Sequence, residues 1–247
     1  MNPSSDLFSV PETIELAEYM FTTFAQAINH LPPAPYALAF DITFAQDDLR
    51  RPVVRLFANY ETYAISKYPE NDRSGKWRAS SHLEAIWGSA IWEMRTLATV
   101  GNQYAGEGSF DGDYVDKKGM ALRKKWVQAL GLWYEDELKN TNFDQAFEID
   151  GKIIPLFDDL CLSVARRLHP VVIEHFQTDL PILFFGCEGN FDMETISLAL
   201  LANPSTLLKG YGEFLREMCG VEYENFVTQD FDKENYTYTS FCQGENH

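Results

Sequence analysis

The chain has 247 residues, enough to bury a core without disulfides or metals to hold it together. Hydrophobic residues make up 45% and aromatics 14%, while 37 acidic residues against 20 basic ones leave a formal charge of -17. So acidic a surface repels nucleic-acid phosphates and anionic lipid and attracts basic proteins, which excludes general nucleic-acid or membrane-surface binding and points to a basic protein partner.

Cys161, Cys187, Cys219 and Cys242 form no Cys-x-x-Cys pair, which argues against a zinc knuckle or a thioredoxin-type site. Met1 to Val10 has neither the basic start nor the apolar stretch of a signal peptide. No apolar run approaches the roughly 18 residues that cross a bilayer. The expectation is a cytoplasmic protein with reduced thiols and no cofactor.

Ser9-Val10-Pro11-Glu12 reads as a helix start with Ser9 as cap, and Ile14, Ala17, Phe21, Phe24 and Ile28 mark its buried face. Leu31 to Pro35 ends it. Tyr36, Leu38, Phe40, Ile42 and Phe44 then alternate with smaller or polar residues, the clearest strand in the chain, and Val53 to Ala58 predicts its antiparallel partner across a long loop. A short helix follows from Asn59 to about Lys67. Another is capped by Ser80 or Ser81 and carries Leu83, Ile86, Trp87, Ile91 and Met94.

Between Gly101 and Gly119, where five of the 15 glycines lie, periodicity vanishes, and the stretch reads as a flexible loop. Leu122, Trp126, Leu130, Trp133 and Leu138 restore a helical face, on which Arg123-Lys124-Lys125 reads as a solvated strip. Phe147 to Pro155 is mixed, with a short strand suggested around Lys152 to Ile154. Phe157 to Phe176 reads as a helix that Pro170 starts, kinks or breaks. Pro181 to Gly186 predicts a buried strand, and two helices follow, around Ile196 to Leu201 and Leu207 to Cys219.

These elements predict an α+β fold: a small, mainly antiparallel sheet covered by several amphipathic helices. One domain is expected over 1–221, because the strand near Ile182 needs partners and the best candidates lie upstream. Residues 222–247 form an acidic aromatic tail, either disordered or docked as an edge strand at Tyr236 to Thr239.

No catalytic signature stands out. Phe110-Asp111-Gly112-Asp113-Tyr114-Val115 superficially matches an aspartate-nucleophile phosphotransferase box, but no strand precedes it. The same segment lacks the glycine and glutamate that a calcium loop wants at its sixth and twelfth positions, where Asp116 and Leu122 stand. Asp111, Asp113 and Asp116 are nevertheless the candidate cation ligands, and with them a metal-assisted hydrolase or phosphotransferase is the alternative function. His169 and His175 sit six residues apart, on different helical faces, and read as partly exposed or capping groups. The tryptophans fall at core spacing. In the tail, Glu222, Glu224, Asp230, Asp232 and Glu234 interleave with aromatics and are the candidate contacts for a basic partner.

Tyr36 to Phe40, followed by Leu56-Phe57-Ala58-Asn59-Tyr60-Glu61-Thr62, and then Ile196 to Pro204 ending Leu200-Leu201-Ala202-Asn203-Pro204, resemble bacterial domain-of-unknown-function family 4303 over about residues 12 to 218. Ala202 stands where that family carries leucine. The resemblance implies no activity and lends no catalytic residues. It does imply a neighbourhood of toxin systems, in which acidic immunity proteins neutralise basic toxins. The leading expectation is therefore a non-enzymatic protein-binding module of the immunity kind, with a homo-oligomeric housekeeping domain as a third reading.

Overall fold

Strict alternation in one strand organises the molecule. In β1 (Ala37–Phe44), Leu38, Phe40 and Ile42 face one way and Ala39, Asp41 and Thr43 the other, because successive side chains of a strand point to opposite faces. The structure is a computed structural model that describes residues 7–33, 35–66, 79–106, 110–186 and 193–219. Glu222, Glu224, Asp230, Asp232, Glu234, the Tyr236 to Thr239 edge strand, Trp77, Cys187 and Cys242 lie outside the described residues.

Around β1 the chain adds α1 (Pro11–Asn29), β2 (Pro52–Asn59), α2 (Glu61–Ser66), α3 (His82–Trp87), β3 (Ala98–Val100), α4 (Lys117–Ala129), α5 (Glu137–Thr141), α6 (Phe143–Phe176), β4 (Ile182–Phe185), α7 (Met193–Ala202) and α8 (Lys209–Cys219). The sheet order is β3-β2-β1-β4. β2 lies antiparallel to β1 with Leu38 opposite Ala58 and Asp41 opposite Arg55, and β3 lies antiparallel to β2. β4 joins the free edge of β1 in parallel, Ala39 against Leu183 and Asp41 against Phe185. The fold is α+β, and the downstream strand finds its partner upstream, as its apolar run requires.

The apolar face is covered by α1, α4 and α6. Phe24 of α1 packs on Phe40, 5.0 Å between ring centroids, and Phe40 meets Phe184 edge-on. Trp126 of α4 is fully buried against Phe157 of α6, and its indole N–H donates to Thr13 Oγ1 at 3.1 Å. That bond draws the buried stripe of α1 onto Thr13, Leu16, Ala17, Met20, Phe24 and Ile28, and leaves Ile14 48% exposed. The α1 N-cap position falls on Val10, whose side chain makes no capping bond, rather than on Ser9.

Helix α6 overrides two local signals. Ile153, Phe157, Leu160, Cys161, Val164, Ala165, Leu168 and Val172 are buried at three- and four-residue spacing along one continuous helix, so no strand forms at Lys152 to Ile154. Pro155 and Pro170 each stand two residues from that stripe, on the opposite side of the helix, where the carbonyls they leave unpaired can be hydrated. Helix α3, by contrast, is shorter than its periodicity suggests. Ser81 caps it by accepting from the Glu84 N–H, and the chain becomes extended at Gly88, which lets Trp92 reach Phe185, 5.1 Å centroid to centroid.

The glycine-rich stretch is not a free loop where it is described. Asp116 caps α4 by accepting from the Gly119 N–H, and its other oxygen accepts from the Gly101 N–H, both at 3.0 Å. Gly119 is required here, since a Cβ would sit 2.0 Å from Asp116 Oδ2. Arg123 is buried rather than solvated: its guanidinium donates to the carbonyls of Arg51 and Pro52, at 2.9 and 3.0 Å.

Asn203 closes the outer edge of β4. Its side-chain carbonyl accepts from the Ile182 N–H at 2.7 Å and its amide donates to the Ile182 carbonyl at 2.8 Å, imitating a neighbouring strand. Asn203→Ala would strand buried backbone groups at about 1–3 kcal/mol each. Thermal melts should show a drop in Tm of roughly 2–4 °C per kcal/mol lost, with faster hydrogen exchange at the Ile182 amide. An unchanged Tm would mean that this edge is held by something else.

Candidate functional site

The second face of the sheet carries charge. Directly opposite each other on β1 and β2, Asp41 and Arg55 form an ion pair, Arg55 Nη1 to Asp41 Oδ2 at 3.2 Å, and the same nitrogen donates to Thr43 Oγ1 at 2.8 Å. Arg55 Nε donates to both oxygens of Asp113 at 3.1 Å, and Thr96 Oγ1 adds a 2.8 Å bond to that carboxylate. The Phe110 ring lies 5.1 Å from the guanidinium. A cluster of two carboxylates and one guanidinium carries a net charge of minus one.

The local chain delivers Asp113 by a tight turn. Thr96 N–H donates to the Asp111 carbonyl at 2.7 Å, which clips residues 110–113 alongside the entry to β3. Gly112 has φ +86°, and a Cβ there would lie 2.3 Å from the Thr96 carbonyl oxygen. Glycine is therefore the residue that lets this turn approach the sheet. Beside the cluster opens a cavity of about 370 Å³ whose walls include Asp41, Thr43, Ser89, Met94, Phe110 and Phe185.

The three candidate cation ligands thus have separate tasks. Asp113 neutralises Arg55, Asp116 caps α4 and accepts from the Tyr19 hydroxyl at 2.7 Å, and Asp111 is exposed beside Arg95. Among the described residues no group of three His, Cys, Asp or Glu side chains is placed to hold a metal ion. His169 and His175 do not converge either. Within hydrogen-bond reach, His169 has Asp179 Oδ1 at 2.7 Å and the Ala202 carbonyl at 3.1 Å, while His175 has the Leu31 carbonyl at 3.0 Å. Cys161 is buried, and burial pushes its thiol well above the ordinary value, so it is a packing residue.

A second feature lies at the opposite extreme of exposure. Phe143 and Phe147 open helix α6 one turn apart and stack on each other, 6.2 Å between centroids and 24° between planes, yet each is 67% exposed. The acids that flank them in sequence, Glu135, Asp136, Glu137, Asp144 and Glu148, are all exposed. Their neighbour Ala146 is buried, and Asp150 takes the Tyr134 hydroxyl at 2.8 Å, so packing of α6 uses the other side of this turn. The sequence shows the pair only as ordinary i, i+4 apolar residues of the kind a core uses; nothing in the spacing says which side faces solvent. A third feature, an open groove of about 460 Å³ between α1 and α4, has its acids engaged: Glu15 pairs with Lys125 and Glu18 with Arg167.

No family model, curated protein or solved structure matches the chain. Among the described residues, no helix is long and apolar enough to cross a membrane.

Burial pushes the Asp41 carboxyl up to about 6 from an ordinary 3.8; Arg55 opposes that rise and Asp113 adds to it. The folded chain therefore holds this proton more tightly than the unfolded chain, and the group's contribution to stability falls as pH rises from about 4 to about 6, then stays level. Asp41→Asn, neutral throughout, should stabilise the protein at pH 7 by about 3 kcal/mol, and far less at pH 4. Urea melts of both proteins at the two pH values measure this; equal effects at both would show that the buried charge is not the cause.

Proposed function

We propose that the chain is a non-enzymatic protein-binding module that docks a basic partner through the acidic, aromatic edge formed by α5 and the start of α6. The observation that carries this reading is the exposed Phe143–Phe147 stack, flanked in sequence by the exposed acids Glu135, Asp136, Glu137, Asp144 and Glu148. Aromatic residues are enriched where proteins bind one another, and an apolar patch rimmed with charge marks such sites. Of the six acids in residues 135–152, five are exposed and Asp150 is buried, against Lys139 and Lys152, so a partner presenting an apolar side chain between lysines or arginines would match both features. Of the acids outside this edge, Asp48 is held by Arg50 at 2.7 Å, and Asp41 and Asp113 by Arg55; within the edge, Arg50 also takes the exposed Asp136 at 2.6 Å.

Opposite charges would steer the encounter and make it sensitive to salt, while the phenylalanines would set how long the complex lasts. The same chemistry suits neutralisation of a basic toxin, the role that the family resemblance implies. Growth rescue on coexpression with a toxic product of an adjacent gene tests that narrower role, and its failure would remove it.

Selection from a displayed random-peptide library should enrich sequences that combine lysine or arginine with an aromatic or aliphatic anchor. The paired substitution Phe143→Ser and Phe147→Ser should weaken the selected peptides at least about tenfold without lowering Tm, since neither ring supports the core. High salt should weaken them as well. Enrichment of acidic peptides, or unchanged binding to the double variant, would overturn the reading.

A further inference from the structure

We infer that the cavity beside Asp41 is a binding site for an alkylammonium group, supplied by a small amine or by a lysine side chain. The inference stands independently of the docking edge on α6 and would survive its loss.

Three features converge on this chemistry. The first is charge. Asp41 and Asp113 share the single guanidinium of Arg55, so the cluster lacks one positive charge, and burial makes the shortfall costly. The second is geometry. Asp41 is 5% exposed, lines the cavity, and among the described residues has only its Oδ2 engaged, by Arg55. Its other oxygen is available to accept from a donor inside the cavity. The third is the wall. Phe110 and Phe185 present aromatic surface, Met94 an apolar thioether, and Thr43 a hydroxyl oxygen. An ammonium group needs just such acceptors, and a short alkyl chain needs such apolar surface. A volume of about 370 Å³ is in the range of small-molecule sites.

An anion is disfavoured by the same arithmetic, since the one cation of the cluster already faces two carboxylates. A neutral apolar ligand would leave the second oxygen of Asp41 without a donor. The positively charged occupant satisfies the charge, the hydrogen bond and the apolar wall together. It would also relieve the cost that burial places on Asp41, so occupancy should stabilise the fold.

The test is a thermal-shift and calorimetric titration of the full chain with n-butylammonium chloride and with Nα-acetyl-lysine amide. Sodium chloride at matched ionic strength and 1-butanol serve as controls. A saturable rise in Tm with either ammonium probe and none with the controls is expected. Response to both probes marks a general ammonium site; response to the lysine probe alone marks a site for a partner's side chain. Asp41→Asn should weaken binding at least about tenfold, since it removes the charge while keeping the shape. Ala90→Trp, at an exposed position lining the cavity, should block binding while leaving the ion cluster intact. An equal response to 1-butanol, binding retained by Asp41→Asn, or no response to either ammonium probe would overturn the assignment.

Discussion

Arg55 stands directly opposite Asp41 at the centre of the sheet, and the hairpin register that places them there also fixes everything on the other face. A slip of one residue would turn Leu38, Phe40 and Ile42 away from α1 and α6 and drive Asp41 into the apolar layer. The register that buries the core is therefore the register that buries the ion pair. The pair itself need not stabilise the fold, because desolvation of two charges offsets most of their attraction. What it does is recruit. Asp113 comes in on the Gly112 turn to meet the guanidinium, Phe110 lies over it, and the segment before β3 is clipped to the sheet in consequence.

The same economy governs the other acids that go inside. Burial works against the charge on Asp48, but hydrogen bonds from Arg50 and the Arg50 charge outweigh it and hold the carboxyl below its ordinary value. Arg50 also donates to the Tyr134 carbonyl and to Asp136, so one buried arginine joins the β1–β2 loop to the approach of α5. Arg123 reaches the same loop from α4 by way of carbonyls alone; burial, with Arg51 nearby, lowers its pKa to about 10. Arg50, Arg55 and Arg123 thus each tie together segments far apart in the chain.

The sequence showed what periodicity can show. Helix α1, the β1–β2 hairpin, the buried run of β4 and the final helices all announce themselves by spacing, because burial of one face repeats along them. Where spacing was short or interrupted, it misled. β3 has three residues, too few for alternation to register, and it forms because β2 offers it Val54 and Leu56 as partners. Pro155 hid the first turns of α6, although a proline on the side away from the core interrupts only solvated backbone. Arg123 looked like one of three surface cations; only the position of the Arg51 and Pro52 carbonyls makes it an interior residue. Of the candidate site, Asp113 was visible as part of an Asp-x-Asp box, but its partner is an arginine 58 positions upstream, and no local pattern carries such a pairing.

The contrast between the two ends of α6 bears on function. Toward its C-terminal end the helix lies deep in the core, with Leu160, Val164, Ala165 and Leu168 almost fully enclosed. At the N-terminal end its first turns keep Ala146, Asp150 and Ile153 for packing and turn two phenylalanines outward. Each exposed ring forgoes roughly 2 kcal/mol that burial would supply, and stacking on its neighbour returns only part of it. Polar residues would cover that face at no such cost, and the same surface has acids in abundance. The proposed docking edge accounts for that cost: a partner would cover both rings, and the acids that flank them in sequence favour one whose surface is basic.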